Sequence, residues 1–170
     1  SSSNDEIANH FQNSSGYLTA FLRTVDPTAQ WASIYFSDHC DDLSRYGEKN
    51  LAFQYVDFVG STEKDDRILF SSLKNVEPAY GGDLPEAIEC ALMQAAQIDF
   101  GTVPKAERTL VLITDSVPHG MEGWAEAFGE ADHGCPNQVS WRAAMRAVRE
   151  VYGKFVIIGS GREPLMAKFQ

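Results

Sequence analysis

Basic residues are scarce in this chain. Its 170 residues carry 14 Lys and Arg against 24 Asp and Glu, a formal net charge of −10 with a pI near 4.7. Nucleic acid and anionic membrane surfaces are therefore poor partners. Acidity suits a cation or a basic partner, but taken alone it reads as simple solubility. Cysteine is scarce too. Cys40, Cys90 and Cys135 form no CxxC pair, and an odd, sparse count argues against a disulfide scaffold and favours a reducing compartment such as the cytoplasm. Cys90 lies inside an apolar helix pattern and reads as a small core residue. No stretch is apolar enough to span a bilayer, so no membrane insertion is expected. Residues 1–6 show no basic segment followed by an apolar one, hence no visible signal peptide. Internal repeats, low-complexity tracts and linkers are absent. So are a Walker loop, a nucleophile elbow and a cysteine–histidine nucleophile signature.

What is present is the pattern of one globular domain. The apolar fraction is 44%, and the length allows a real core. Ile7, Phe11, Leu18, Leu22 and Val25 share a helical face over about Asp5 to Val25, which Asp26-Pro27 stops. Trp31–Phe36 and Leu51–Phe58 read as strands, joined by a ten-odd-residue connection with no helix pattern. An antiparallel edge pair follows. Asp66–Leu73 reads as a short helix. Asp83 reads as the N-cap of the next helix, with Pro85 in its first turn and Glu86 completing a capping box. Ile88, Ala91, Leu92 and Ala95 form that helix's buried stripe.

Thr109–Thr114 has no polar alternation, as expected of a strand covered on both faces. A long irregular segment, Ser116 to Val139, precedes a helix capped by Ser140. Trp141, Ala144, Met145, Val148 and Tyr152 lie along one face of that helix, and Gly153 ends it. Phe155–Ile158 is the last strand. The order predicts an α/β fold, a doubly wound, mostly parallel sheet with helices on both faces and one antiparallel edge strand. The Thr109 and Phe155 segments should be adjacent parallel strands.

Asp115 stands where the Thr109 strand leaves the core, and ligands of open α/β sheets bind outside the carboxyl ends of strands. Gly81-Gly-Asp-Leu-Pro-Glu86 brings a second carboxylate, Asp83, to a helix start. Its two glycines imply a backbone held close to something. The plain alternative for Asp83 and Glu86 is helix capping alone. The two aspartates together suggest a site for a hard cation.

Three motifs in order, with a fourth at the beginning, resemble the von Willebrand factor A domain. The branch found beside alpha-kinases and in related microbial and protist proteins is the most similar. Ser1-Ser-Ser-Asn-Asp-Glu-Ile7 resembles the tail of that family's Asp-x-Ser/Thr-x-Ser motif, and Tyr35-Phe-Ser-Asp-His-Cys-Asp41 its segment after the second strand. Gly81-Gly-Asp-Leu-Pro-Glu86 resembles its Gly-Gly-Gly-Asp-x-Pro-Glu motif. Leu112-Ile-Thr-Asp-Ser-Val-Pro-His-Gly120 resembles the branch's strand and loop ending in Asp-x-Pro-x-His-Gly.

The resemblance spans nearly the whole chain. It implies a three-layer, Rossmann-like fold in a single domain, residues 1–170. It also implies a metal-ion-dependent adhesion site with ligands Ser1, Ser3, Asp83 and Asp115. The motif's own aspartate would lie two positions before Ser1, so the sequence given is expected to start after the central strand. Pro164–Gln170 reads as the start of a further helix.

Hydroxyls and carboxylates are hard oxygen ligands that suit Mg²⁺, or Mn²⁺ or Ca²⁺ in its place. An incompletely saturated ion of this kind takes an Asp or Glu from another protein, which is how the family's adhesion sites engage partners. The resemblance thus implies a protein–protein interaction module, not an enzyme, with Met121, Trp124 and Phe128 as candidate contact residues. A rival from another class is a Mg²⁺-dependent hydrolase or phosphoryl-transfer enzyme using Asp83 and Asp115. A third reading is a structural domain with a vestigial site. His119, His133 and Cys135, with Cys40, invite a zinc reading, but their spacing fits no standard pattern. Packing and hydrogen bonding of the two histidines within the long loop is the simpler expectation.

Overall fold

The computed structural model describes residues 24, 26–36, 53–59, 85–114, 116–123, 132 and 134–159, with 53–59 and 159 described through the backbone. The chain divides into two compact units, Ser1–Tyr35 with Phe53–Tyr80, and Phe36–Ala52 with Gly81–Gln170. Among the described residues no helix is long and apolar enough to cross a membrane.

Strands β1 (Trp31–Phe36) and β2 (Phe53–Val59) are hydrogen-bonded neighbours. Both fall on the segments expected from β-branched and aromatic content. Thr24 is helical, and the chain turns at Asp26. The Asp26 carboxylate accepts from the Thr28 hydroxyl at 2.6 Å and the Thr28 amide at 2.9 Å. This side-chain turn competes with helix continuation, and the Thr28 hydrogen bonds hold the Asp26 carboxyl below its ordinary range. The helices expected over Asp5–Val25 (apart from Thr24) and Asp66–Leu73 lie outside the described residues.

The second unit contains helix α1 (Ile88–Ala95), a 3₁₀ turn (Lys105–Glu107), strand β3 (Thr109–Thr114), helix α2 (Trp141–Val151) and strand β4 (Lys154–Gly159). β3 and β4 pair in parallel, in register from Thr109↔Lys154 to Thr114↔Gly159. The expected parallel adjacency is present, and the unit is a mixed α/β structure with a small parallel sheet. A crossover containing α2 joins the strands, as parallel pairing requires.

Helices α1 and α2 pack on one another. Ile88, Leu92 and Ala95 of α1, with Ala144, Met145 and Val148 of α2, are buried. Each large aliphatic among them contributes about 1.5–3 kcal/mol by leaving water. Ser140 caps α2, its Oγ accepting from the Ala143 amide at 3.2 Å, as its sequence position predicts.

The end of α2 is tied to the start of β3. The amides of Gly153 and Lys154 both donate to the Arg108 carbonyl, at 3.1 and 3.2 Å. Arg108 in turn donates to the carbonyls of Val103 and Val151, and its guanidinium lies over the Phe100 ring. The buried Tyr152 packs edge-on to Phe100 and donates its hydroxyl to the Ala95 carbonyl at 2.9 Å. A Cβ on Gly153 would stand 2.5 Å from the Lys105 carbonyl oxygen, so only glycine fits this approach.

Two expectations are corrected. The helix expected to start at Asp83 begins at Ile88, with Ala87 at the cap and no side chain capping it. The Glu86 amide donates instead to the Val117 carbonyl at 3.0 Å, and Glu86 bridges Pro118 in a parallel sense. The backbone at Glu86 is thus engaged by the segment after β3.

The second correction concerns β3. It is not covered on both faces: Val111 is 47% exposed, and Val156 and Ile158 of β4 are 45% and 53% exposed. In this register Val111, Val156 and Ile158 share one face, while Leu112 and Thr114 are buried on the other. The continuous apolar run reports composition on both faces, not cover on both.

Candidate functional site

The carboxyl end of β3 runs into a tightly bonded loop. Thr114 Oγ1 accepts from the Ser116 amide at 3.1 Å and donates to the Ser116 carbonyl at 3.2 Å. Ser116, Val117 and His119 are buried. Val117 and Pro118 engage Glu86, two residues before α1. In the helix's first turn, Glu89 Oε2 accepts from the His119 amide at 3.2 Å. The loop after β3 and the start of α1 are therefore joined at two points.

Of the four ligands implied by the family resemblance, Ser1, Ser3, Asp83 and Asp115 all lie outside the described residues. So do His133, Cys40, Trp124 and Phe128. What is described is the backbone on either side. Asp115 is the residue after Thr114, and Glu86, three residues beyond Asp83, meets Pro118, three beyond Asp115. Met121 is buried, at 5% exposure, and belongs to the core, not to a contact surface.

Among the described residues, His119 does not fall in the group of ligating atoms that contains Cys135. Its ring is buried, and its Nδ1 lies 2.9 Å from Asp132 Oδ1. Asp132 also accepts from the amides of Gly134, at 2.7 Å, and Gly120, at 2.5 Å. Burial opposes its charge, but the hydrogen bonds from His119, Gly120 and Gly134 outweigh that and hold its carboxyl below the ordinary range. Gly120 and Gly134 both have positive φ, 72° and 76°, which lets their amides turn onto one carboxylate. The expected ordering role of His119 is thus present, through an aspartate that the sequence pattern did not single out.

The structure gathers a different trio. Glu89 and Cys90 on α1, and Cys135 in the loop before α2, place their ligating atoms within 4.8 Å of one another. Glu89 and Cys90 are buried and Cys135 is half-buried. The sulfurs of Cys90 and Cys135 are 3.4 Å apart. Burial pushes the Cys135 thiol up to about 12, aided by its hydrogen bond with Cys90 and by Glu89, although the amides of Val139 and Asn137 pull the other way. Cys90 is the core residue expected, and it is also half of this pair. The missed signals were local: a Glu-Cys step inside a buried stripe, and a Cys-Pro-Asn turn at residues 135–137.

Comparison with protein-family models, with curated proteins and with solved structures gives no significant match to this chain.

Proposed function

We propose that this chain is a von Willebrand factor A-like binding module, which holds Mg²⁺ (or Mn²⁺ or Ca²⁺) near the carboxyl end of β3 and through it engages an Asp or Glu of a partner protein. The three-layer, doubly wound fold belongs to the same reading. The observation that carries it is the junction between the Asp83 and Asp115 segments. Glu86 bridges Pro118, at equal distance along the chain from the two aspartates, next to the carboxyl end of a parallel strand. The donor set, two serine hydroxyls with carboxylates, matches the oxygen preference of these ions. In this reading Ser1 and Ser3 supply the hydroxyls, Asp115 binds directly or through water, and Asp83 does the same. The capping alternative for Asp83 is weakened, because α1 starts at Ile88.

The test is thermal unfolding of the protein with Mg²⁺ or Mn²⁺, beside its Asp115→Ala variant. At 100 times Kd an ion adds about 2.7 kcal/mol, a rise in Tm of roughly 5–10 °C for a domain of this size. The rise should vanish in the variant. An equal response of the two proteins, or none in either, removes the metal-dependent reading.

A further inference from the structure

We infer that Glu89, Cys90 and Cys135 form a second metal site, for a thiophilic divalent ion of the Zn²⁺ class, distinct from any oxygen-lined site at the end of β3. Three observations carry this inference. The first is the mix of atoms, two sulfurs and one carboxylate oxygen, mutually within 4.8 Å. Zn–S bonds of about 2.3 Å and Zn–O bonds near 2.1 Å put tetrahedral ligands about 3.6–3.8 Å apart. The sulfurs, at 3.4 Å, are already near that spacing. Sulfur selects against Mg²⁺ and Ca²⁺ and for zinc-like ions.

The second observation is an N–H donor on every prospective ligand. Glu89 Oε2 accepts from the His119 amide. Cys90 Sγ accepts from Asn137 Nδ2 at 3.6 Å. Cys135 is hydrogen-bonded by the backbone amides of Asn137 and Val139. Such outer donors favour the anionic ligand forms and fix their orientation. A plain thiol–thiol contact in a core needs none of them.

The third is the build of the turn that carries Cys135. Gln138 takes φ +56° and donates its amide to the Cys135 carbonyl at 2.9 Å. This left-handed conformation is uncommon for a residue with a side chain, and it folds the chain just past Cys135 back beside it. Asp132 anchors the other flank through the Gly134 amide. Cys135 is half-buried, so an ion has a path in and a solvent molecule can complete a fourth position. Each thiol releases its proton to solvent as its bond to the metal forms.

The test uses the chain as given, reduced and stripped of metal, titrated with Co²⁺ and then Zn²⁺. One equivalent of Co²⁺ should produce sulfur-to-cobalt charge-transfer absorption that Zn²⁺ abolishes and excess Mg²⁺ does not. Cys90→Ser and Cys135→Ser should each remove the band. Glu89→Gln should keep sulfur absorption but weaken affinity at least about tenfold, the effect typical of losing even an outer partner. A readout free of variants is alkylation followed by mass spectrometry: Zn²⁺ should protect Cys90 and Cys135. Absence of the band in the wild-type chain overturns the site, whether the two cysteines stay as thiols or cross-link to a disulfide. Zn²⁺ that leaves both Cys90 and Cys135 unprotected overturns it as well. None of these results depends on Asp115, so the site stands or falls separately from the adhesion-type reading.

Discussion

Asp132 is the side chain whose removal should loosen the loop region most. Its Oδ1 accepts from His119 Nδ1 and the Gly134 amide, and its Oδ2 from the Gly120 amide. In Asp132→Asn the carbonyl oxygen can keep the first two donors, but the amide NH₂ then faces the Gly120 N–H, donor against donor. One charge-assisted bond is lost and two are weakened to neutral strength. At about 1.5–3 kcal/mol for a bond to a charged group and about 1 for a neutral one, the loss comes to roughly 2.5 kcal/mol or more. With a urea m-value near 2 kcal/mol/M, the unfolding midpoint should fall by about 1 M or more at unchanged m.

The pH dependence follows from the depressed carboxyl. Its stabilisation is complete above the ordinary aspartate pKa of about 3.9 and is lost as pH falls through the lower folded value. The stability gap between wild type and Asp132→Asn should therefore close as pH falls below about pH 4. A loss under about 0.5 kcal/mol, the level of an ordinary surface change, would refute the anchoring role. So would a gap that widens in acid.

Other outcomes follow from the same structure. Gly153→Ala forces a Cβ to 2.5 Å from the Lys105 carbonyl oxygen and 2.7 Å from Ala106 Cα, and should cost about 1–3 kcal/mol in urea unfolding. Tyr152→Phe removes the buried bond to the Ala95 carbonyl and should cost about 1–2 kcal/mol, measured the same way. Ser140→Ala removes the α2 cap and should cost about 1 kcal/mol, recovered largely by Ser140→Asp. Glu89→Ala deletes the acceptor of the His119 amide, so hydrogen exchange there should accelerate about tenfold or more beyond any change at the β4 amides. If the loop opens with the helix start, the Glu86 amide should follow.

Elements set by local pattern were legible. The limits of β1, β3 and α2 agree with the sequence pattern, because each is bounded by a turn residue or a cap of recognised chemistry. The parallel pairing of β3 with β4 followed from an intervening helix. The start of α1 was not legible. The local signal, Asp83 with Glu86 three residues on, is that of a capping box, and it lost to a backbone bond from Glu86 to Val117, a tertiary contact that no local window contains. The cover on β3 failed for a related reason: an apolar run states what could be buried, not what lies above it.

The candidate site divides along the same line. Asp83 and Asp115 stood out because a carboxylate at an element end is locally anomalous. Glu89, Cys90 and Asp132 did not, since each is unremarkable within its own segment. Cys90 meets Cys135 across 45 residues, and Glu89 meets the His119 amide across 30.

The two proposed sites would draw on opposite ligand chemistries. Asp83 and Asp115 would offer hard oxygen, while the Glu89 trio would offer two sulfurs and one oxygen. Ions sort by that difference: Mg²⁺ has little affinity for thiolates, whereas Zn²⁺ is drawn to them. The sites also share a mechanical element. The loop after β3 is held to α1 by the Glu86 amide on one side and by the Glu89 carboxylate on the other. An ion bound by Glu89 would fix the helix turn on which the loop rests. Ordering shared in this way is a free-energy coupling between two sites, and it must run equally in both directions. Zn²⁺ loading should therefore tighten Mg²⁺ binding by the same factor as Mg²⁺ tightens Zn²⁺. If the two affinities are independent, the junction is a rigid scaffold already ordered without metal.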